Sequence, residues 1–147
     1  MRRLLLLLAL TGCTTGVTIR GTVEVPVEIQ ELFAIARPGV VHVAAEIPET
    51  GLVAARLAVL CDATEAPLAI ELDLDTFGCA KESTLLAWAA AVPNGAELAC
   101  GIDQQVDDTA APPLGTIATA SVVIFEGNTA EDGCEVGEAT VDLVLSL

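Results

Sequence analysis

The chain reads as all-β, an antiparallel Greek-key β-sandwich of about seven strands, and three observations carry that reading. Apolar and polar residues alternate with a period of two over several stretches, no long stretch repeats apolar residues at helical spacing, and turn-forming clusters recur roughly every ten residues. A small closed β-barrel satisfies the same pattern and is the runner-up. The 147 residues, 53% of them apolar, can bury a proper core and suit one domain rather than two.

The first strand is expected over residues 17–29. Val17, Ile19, Gly21, Val23, Val25, Val27 and Ile29 alternate with Thr18, Arg20, Thr22, Glu24, Pro26 and Glu28, as in a strand with one face buried. Pro26 has no amide to donate, so the strand must be an edge there or bend and pass from one sheet to the other. A short helix fits residues 31–36. Gly39–Ile47 is valine-rich and stops before Pro48, and Leu52–Leu60 follows the turn Glu49-Thr50-Gly51. Leu68, Ile70, Leu72 and Leu74 then alternate with Ala69, Glu71, Asp73 and Asp75 in a half-buried strand that ends near Gly78. The alanines and leucines of residues 85–92 suit a helix by propensity, but the segment is short and runs into Pro93-Asn94-Gly95, a turn signal that favours a strand. A polar loop with Asp107-Asp108 and Pro112-Pro113 is expected over residues 103–115, long for a compact domain. Strand pattern resumes at residues 117–126. After an acidic turn region at 127–137, Ala139, Val141, Leu143 and Leu145 form the inward face of a last strand.

At the N-terminus, Arg2 and Arg3 precede an apolar run over residues 4–10. That run is far short of the ~20 residues a membrane-spanning helix needs. It ends in Leu10-Thr11-Gly12-Cys13: an apolar residue, two small ones that let a peptidase grip extended backbone, then a cysteine. These four positions resemble the lipobox of bacterial lipoproteins. The resemblance implies a diacylglycerol thioether-linked to Cys13, cleavage between Gly12 and Cys13, and acylation of the new amino group. More than one chain is what lasting membrane attachment requires. Thr14 stands where Asp would mark inner-membrane retention in a Gram-negative cell, which points to the outer membrane where there are two. Residues 1–12 are thus expected to be a cleaved signal peptide, 13–16 the lipidated cysteine and a short tether, and 17–147 the domain. The tether would reach roughly 10–14 Å at ~3.4 Å per residue. An ordinary secretory signal is the competing reading, but no Ala-x-Ala pattern lies near this end.

Gly21-Thr22-Val23 in the first strand, with Leu85-Leu86-Ala87-Trp88 followed by Asn94-Gly95, resembles the transthyretin-like or prealbumin-like β-sandwich modules of bacterial surface proteins. An immunoglobulin-like sandwich is the alternative, although no cysteine pair brackets Trp88 at the expected spacing.

Cys61, Cys79, Cys100 and Cys134 remain in the body, and an even number in an exported domain points to disulfides. Zinc competes, but no two of them stand two to four residues apart and the only histidine, His42, is remote in sequence. If successive strands are antiparallel, loops alternate between the ends of the sandwich. Cys61 and Cys100 then share one end, and Cys79 and Cys134 the other. Bridged Cα atoms lie within about 7 Å, so the expected pairs are Cys61–Cys100 and Cys79–Cys134. The chain-entropy estimate for each is roughly 4 kcal/mol.

Six basic and 21 acidic residues give a formal net charge of −15, and loss of Arg2 and Arg3 makes the body more acidic still. Nucleic acid is a poor partner for such a surface, and anionic headgroups repel it, so the lipid must supply the attachment. Catalytic motifs are missing: no Gly-x-Ser-x-Gly elbow, no His-Glu-x-x-His helix, no phosphate-cradling glycine loop. His42, between Val41 and Val43, is expected on the face opposite theirs as a solvent-facing or hydrogen-bonded residue. Glu71, Asp73 and Asp75 line one strand face and could imitate a glycosidase carboxylate pair, but alternation on a half-exposed strand explains them without any active site. Oxygen-rich loops make calcium the other cryptic function, with Asp103, Asp107 and Asp108 in one loop and Asn128, Glu131, Asp132 and Glu135 in another. Neither loop has EF-hand spacing, and solvated acidic loops account for both. Aromatic platforms for sugars are scarce, with Trp88, Phe33, Phe77 and Phe125 the only aromatics. Trp88 sits in an apolar strand where core packing is expected.

The expectation is therefore a non-enzymatic, cofactor-free lipoprotein of the cell envelope. Its membrane contact is the N-terminal lipid, its role structural or protein-binding, and residues 103–115 its first candidate contact surface for an envelope protein. The alternative is a calcium-binding or carboxylate-based enzymatic module.

Overall fold

The computed structural model describes residues 14–35, 39–62, 65–78, 82–93, 100–105, 112–128 and 138–147. Within them the chain forms β1 (Thr14–Glu24), α1 (Val27–Ile35), β2 (Gly39–Ile47), β3 (Leu52–Leu60), β4 (Leu68–Gly78), β5 (Glu82–Pro93), β6 (Gly101–Gln105), β7 (Ala118–Asn128) and β8 (Glu138–Val144). Two sheets result, one ordered β4-β1-β8 and the other β6-β3-β2-β5-β7. They pack face to face as an all-β sandwich. The two sheets join at an isolated antiparallel bridge between Thr119 and Ser146, and no closed barrel forms.

The small sheet is built on the period-two pattern. Val17, Ile19 and Val23 of β1, Leu68, Leu72 and Leu74 of β4, and Val141 and Leu143 of β8 all point into the core. They meet Val41, Val43, Ala45 and Ile47 of β2 and Leu85, Ala87, Ala89 and Ala91 of β5, so alanine dominates the β5 side. Small residues there match the bulk of leucine and isoleucine opposite, the alternation of sizes that close packing demands.

The chain departs from the sequence expectation in four places. The first strand ends at Glu24, and residues 27–29 belong to α1, which begins four residues before the helix expected at 31–36. Val25, Val27 and Ile29 fit a period of two, but Val25, Ile29 and Phe33 also recur every four residues. The fold uses the second period: these three are buried while Val27 is 62% exposed. Pro26 starts the helix because its missing amide costs nothing in a first turn. Its carbonyl accepts from the amides of Ile29 and Gln30, and the Gln30 side chain donates to the Val25 carbonyl at 2.8 Å. The chain leaves the small sheet here, but through a helix rather than as the expected bent strand, and enters the large sheet at Gly39.

Second, β1 begins at Thr14 rather than Val17, so the expected tether at 14–16 is already strand. Thr14 pairs with Gly78 and Thr15 with Phe77, and an irregularity before Val17 restores the register. Third, residues 101–105, whose second half fell in the expected loop, form β6 against the outer edge of β3. A five-residue polar strand gives no alternation long enough to recognise. Fourth, the pairing is antiparallel everywhere except between β1 and β8, which run parallel with Gly21 opposite Val141.

That parallel pair explains Gly21. A Cβ there would collide with the Val141 backbone carbonyl, so only glycine lets β8 close against β1. At the far end of the large sheet, Cys61 after β3 is bonded to Cys100 before β6, with Cα atoms 5.7 Å apart across 39 residues of sequence. The antiparallel β3–β6 ladder brings these ends together, so the pair closes the edge of the sheet. Cys79 and Cys134 lie outside the described residues, as does Cys13.

Gly21→Ala is expected to cost about 2 kcal/mol in urea unfolding because the close approach leaves no room for a methyl. Gly51→Ala, at a φ of 70° but in open space, is expected to cost about 1 kcal/mol. Peptide mapping of the unreduced protein should recover Cys61 joined to Cys100 and, from the alternation of strand ends, Cys79 joined to Cys134. Recovery of Cys61 joined to Cys79 contradicts this strand order.

Candidate functional site

The outer faces of the two sheets differ in kind. On the small sheet, Arg20 at the centre of β1 donates from Nε to Glu71 Oε2 of β4 at 2.7 Å and from an Nη to Glu138 Oε1 of β8 at 2.9 Å. Thr18 Oγ1 donates to Asp73 and Thr22 Oγ1 to Asp142, each at 2.7 Å. The two carboxylates raise the Arg20 pKa, with the Glu71 hydrogen bond the larger cause. Glu71 and Asp73, the carboxylates that imitate a glycosidase pair, thus serve as cross-strand partners on an exposed face. Exposed pairs of this kind contribute little to stability, but they fix register between strands distant in sequence.

The outer face of the large sheet is apolar. Ala44 of β2, Ala55 of β3, and Trp88 and Ala90 of β5 form one buried cluster there, and Val40, Leu57 and Val59 form another. Trp88 is 6% exposed. It is packed as expected of a core residue, but outside the inter-sheet core, because position 88 falls on the face opposite Ala87 and Ala89. Its indole Nε1 donates to Glu46 Oε2 at 3.4 Å. A cleft of about 290 Å³ opens beside it, lined by Glu46, Leu86, Trp88, Pro112, Ser121 and Val123. Its far wall is β7, where Val122 is 39% and Val123 54% exposed.

Charge collects at one end of this face. Glu46 ends on β2 two residues before the β2–β3 turn, and Glu49 in that turn accepts from the Thr84 backbone amide at 3.0 Å. That hydrogen bond is the main reason the Glu49 pKa is lowered. Glu126 of β7 pairs opposite Thr84, and β2, β5 and β7 carry no Lys or Arg. His42 lies on the same outer face, opposite Leu57 and Ala90 and half-buried, as its position between Val41 and Val43 demands. Burial lowers its pKa from 6.5.

The backbone of Asp103 belongs to β6 and that of Asn128 ends β7, while Asp107, Asp108, Glu131, Asp132 and Glu135 lie outside the described residues. Among the described residues no group of three or more His, Cys, Asp or Glu side chains stands close enough to hold a metal ion. The expected contact surface at 103–115 contributes Pro112 to the cleft, while β7 contributes more. The available signal was the run Ala118-Thr119-Ala120-Ser121-Val122-Val123-Ile124-Phe125, in which no residue is charged. No family model, no curated protein and no solved structure matches the chain.

The lowered His42 pKa has a definite sign. Below pH 6.5 the unfolded chain takes up a proton that the folded chain resists, so this contribution to stability is full above 6.5 and falls as the pH drops below it. Urea midpoints should therefore decline from about pH 7 to about pH 5, and His42→Gln should flatten that part of the profile. Loss of the Glu49 hydrogen bond acts lower still, as the pH falls below 4.5 and through its lowered pKa.

Proposed function

We propose that this chain is a lipoprotein of the bacterial cell envelope. A lipid on Cys13 holds a non-catalytic domain whose role is structural or protein-binding. The observation that carries this reading is the placement of Leu10-Thr11-Gly12-Cys13 directly before the fold: Thr14, next after the cysteine, is the first residue of β1. The Cys61–Cys100 bond supports export, because such bonds persist outside the reducing cytoplasm. The acidic body supports an attachment made by lipid rather than by the protein surface. Among the described residues no helix is long and apolar enough to cross a membrane, so the lipid is the anchor that this reading offers. Thr14 favours the outer membrane where the cell has two.

The partner is then a neighbouring envelope protein. The exposed apolar pair Val122 and Val123 on the last strand of the large sheet favours binding over a purely spacer-like role.

Cys13→Ser is expected to move the protein from the membrane to the soluble fraction of the expressing cell and to abolish incorporation of labelled palmitate. Retention of label by the variant contradicts the assignment. Thr14→Asp is expected to shift the lipidated protein toward the inner-membrane band of a density gradient.

A further inference from the structure

Resting on that protein-binding reading, we infer that the open edge of β7 between Ser121 and Val123 takes an extended segment of a protein partner as an added strand. The segment is apolar at its centre and bears lysine or arginine toward the Glu126 end. The backbone geometry comes first. Thr119 exchanges both its N–H and its C=O with Ser146 on the side away from β5, at 3.0 and 3.1 Å. In an antiparallel ladder these groups alternate in direction, so Ser121 and Val123 turn theirs the same way, away from β5. β7 is the last strand of its sheet, and among the described residues only Ser146, just after β8, pairs with its outer edge, at Thr119. Unpaired edge groups of this kind are a template for another strand.

The side chains then decide what kind of strand fits. Ser121 and Val123 line the cleft beside Trp88, and Val122 between them, opposite Ala87 on the ladder, borders it as well and is 39% exposed. No charge interrupts β7 from Ala118 to Phe125, so lysine, proline or an inward charge does not blunt the edge at Ser121–Val123, and the one irregularity of its pairing with β5 falls just beyond, between Val123 and Phe125. Apolar residues of the added strand would lie beside Val122 and over the 290 Å³ cleft. Just beyond, Glu46, Glu49 and Glu126 form an acidic border with no basic residue on β2, β5 or β7 to answer it. A basic residue of the guest answers it instead. The same border, on a chain of net charge −15, opposes a second copy of this protein on that edge. Main-chain hydrogen bonds give affinity and the alternate side chains give selectivity, as in other cases of strand addition.

The test uses the purified full chain in detergent, so that it reads the same whether or not the lipid is present. Displayed random peptides of about ten residues, lacking tryptophan, are selected on the protein. Trp88, the single tryptophan of the chain, then reports binding of each enriched peptide by its emission. Enriched sequences are expected to alternate apolar residues and to end in Lys or Arg. Methylation of their alternate backbone amides is expected to weaken them at least about tenfold. Val123→Pro removes an outward amide that β5 does not use, and is expected to do the same while leaving the circular dichroism unchanged. No enrichment, enrichment of acidic peptides, or binding indifferent to amide methylation overturns the proposal. So does a concentration-dependent dimer of the protein that Val123→Pro dissolves, which would assign the edge to a second copy.

Discussion

Everything in the smaller sheet depends on β1 being paired along both edges. Without it, β4 and β8 share no ladder, and the cover over β2 and β5 falls apart into two separate strands. The central position is made possible by Gly21, whose missing side chain admits the Val141 carbonyl, and it is fixed from outside by Arg20, which reaches a carboxylate on each neighbour. One residue sets the approach and the adjacent one sets the register. The cost is kinetic: the first strand must find the last, across more than a hundred residues of chain, before the core can close. Such long-range pairing slows folding, because loop closure costs entropy before the contacts form. The bond between Cys61 and Cys100, which both lie between the two strands, bypasses 39 residues and shortens that search only slightly, because closure entropy grows slowly with loop length.

Much of this fold was legible in the sequence, and the legible parts share a property. β1, β4 and β8 each bury one face and show charged or hydroxyl residues on the other, so their period of two is written in side-chain chemistry. Val17, Leu72 and Leu143 could be placed on the correct face without coordinates. β2, β3 and β5 are apolar on both faces. Their existence was plain, and so was the packing of Trp88, but which residues meet the opposing sheet was not, and Trp88 is buried on the face away from it. The run Val25, Val27, Ile29 was illegible for another reason: three apolar residues two apart also contain a pair four apart, and only packing against Phe33 and Gly39 selects the helix. β6 was too short, and the parallel direction of β8 could not be read because alternation is the same in either direction.

The candidate site was the least legible part. Sequence patterns that suggest chemistry, such as Glu71 with Asp73, turned out to serve register, while the surface now singled out carries almost no chemically distinctive residue. An edge strand advertises itself by backbone groups, which every sequence possesses. What the sequence does contain is the lack of protection: eight residues from Ala118 to Phe125 without a charge, followed by Glu126. That pattern is ordinary for a central strand. It acquires meaning only once the topology puts β7 at the end of the sheet order.

The order of strands also orients that edge. Three residues separate Gly78 of β4 from Glu82 of β5, so the end of the sandwich where Thr14 pairs with Gly78 is the end where β5 begins, β7 finishes and the β2–β3 turn projects. On the proposed attachment through Cys13, this end would face the membrane, and β7 would run toward the bilayer with its open edge turned sideways. Glu46, Glu49 and Glu126 then lie nearest the headgroups. Anionic lipid would repel them, so the acidic border cannot be what holds the domain down. It is better suited to a guest strand that approaches laterally and brings its own positive charge into the same narrow zone, where the low dielectric of the bilayer edge strengthens an ion pair that would be weak in open water. Thr14 is strand already, so a lipid on Cys13 would hold that zone close to the membrane.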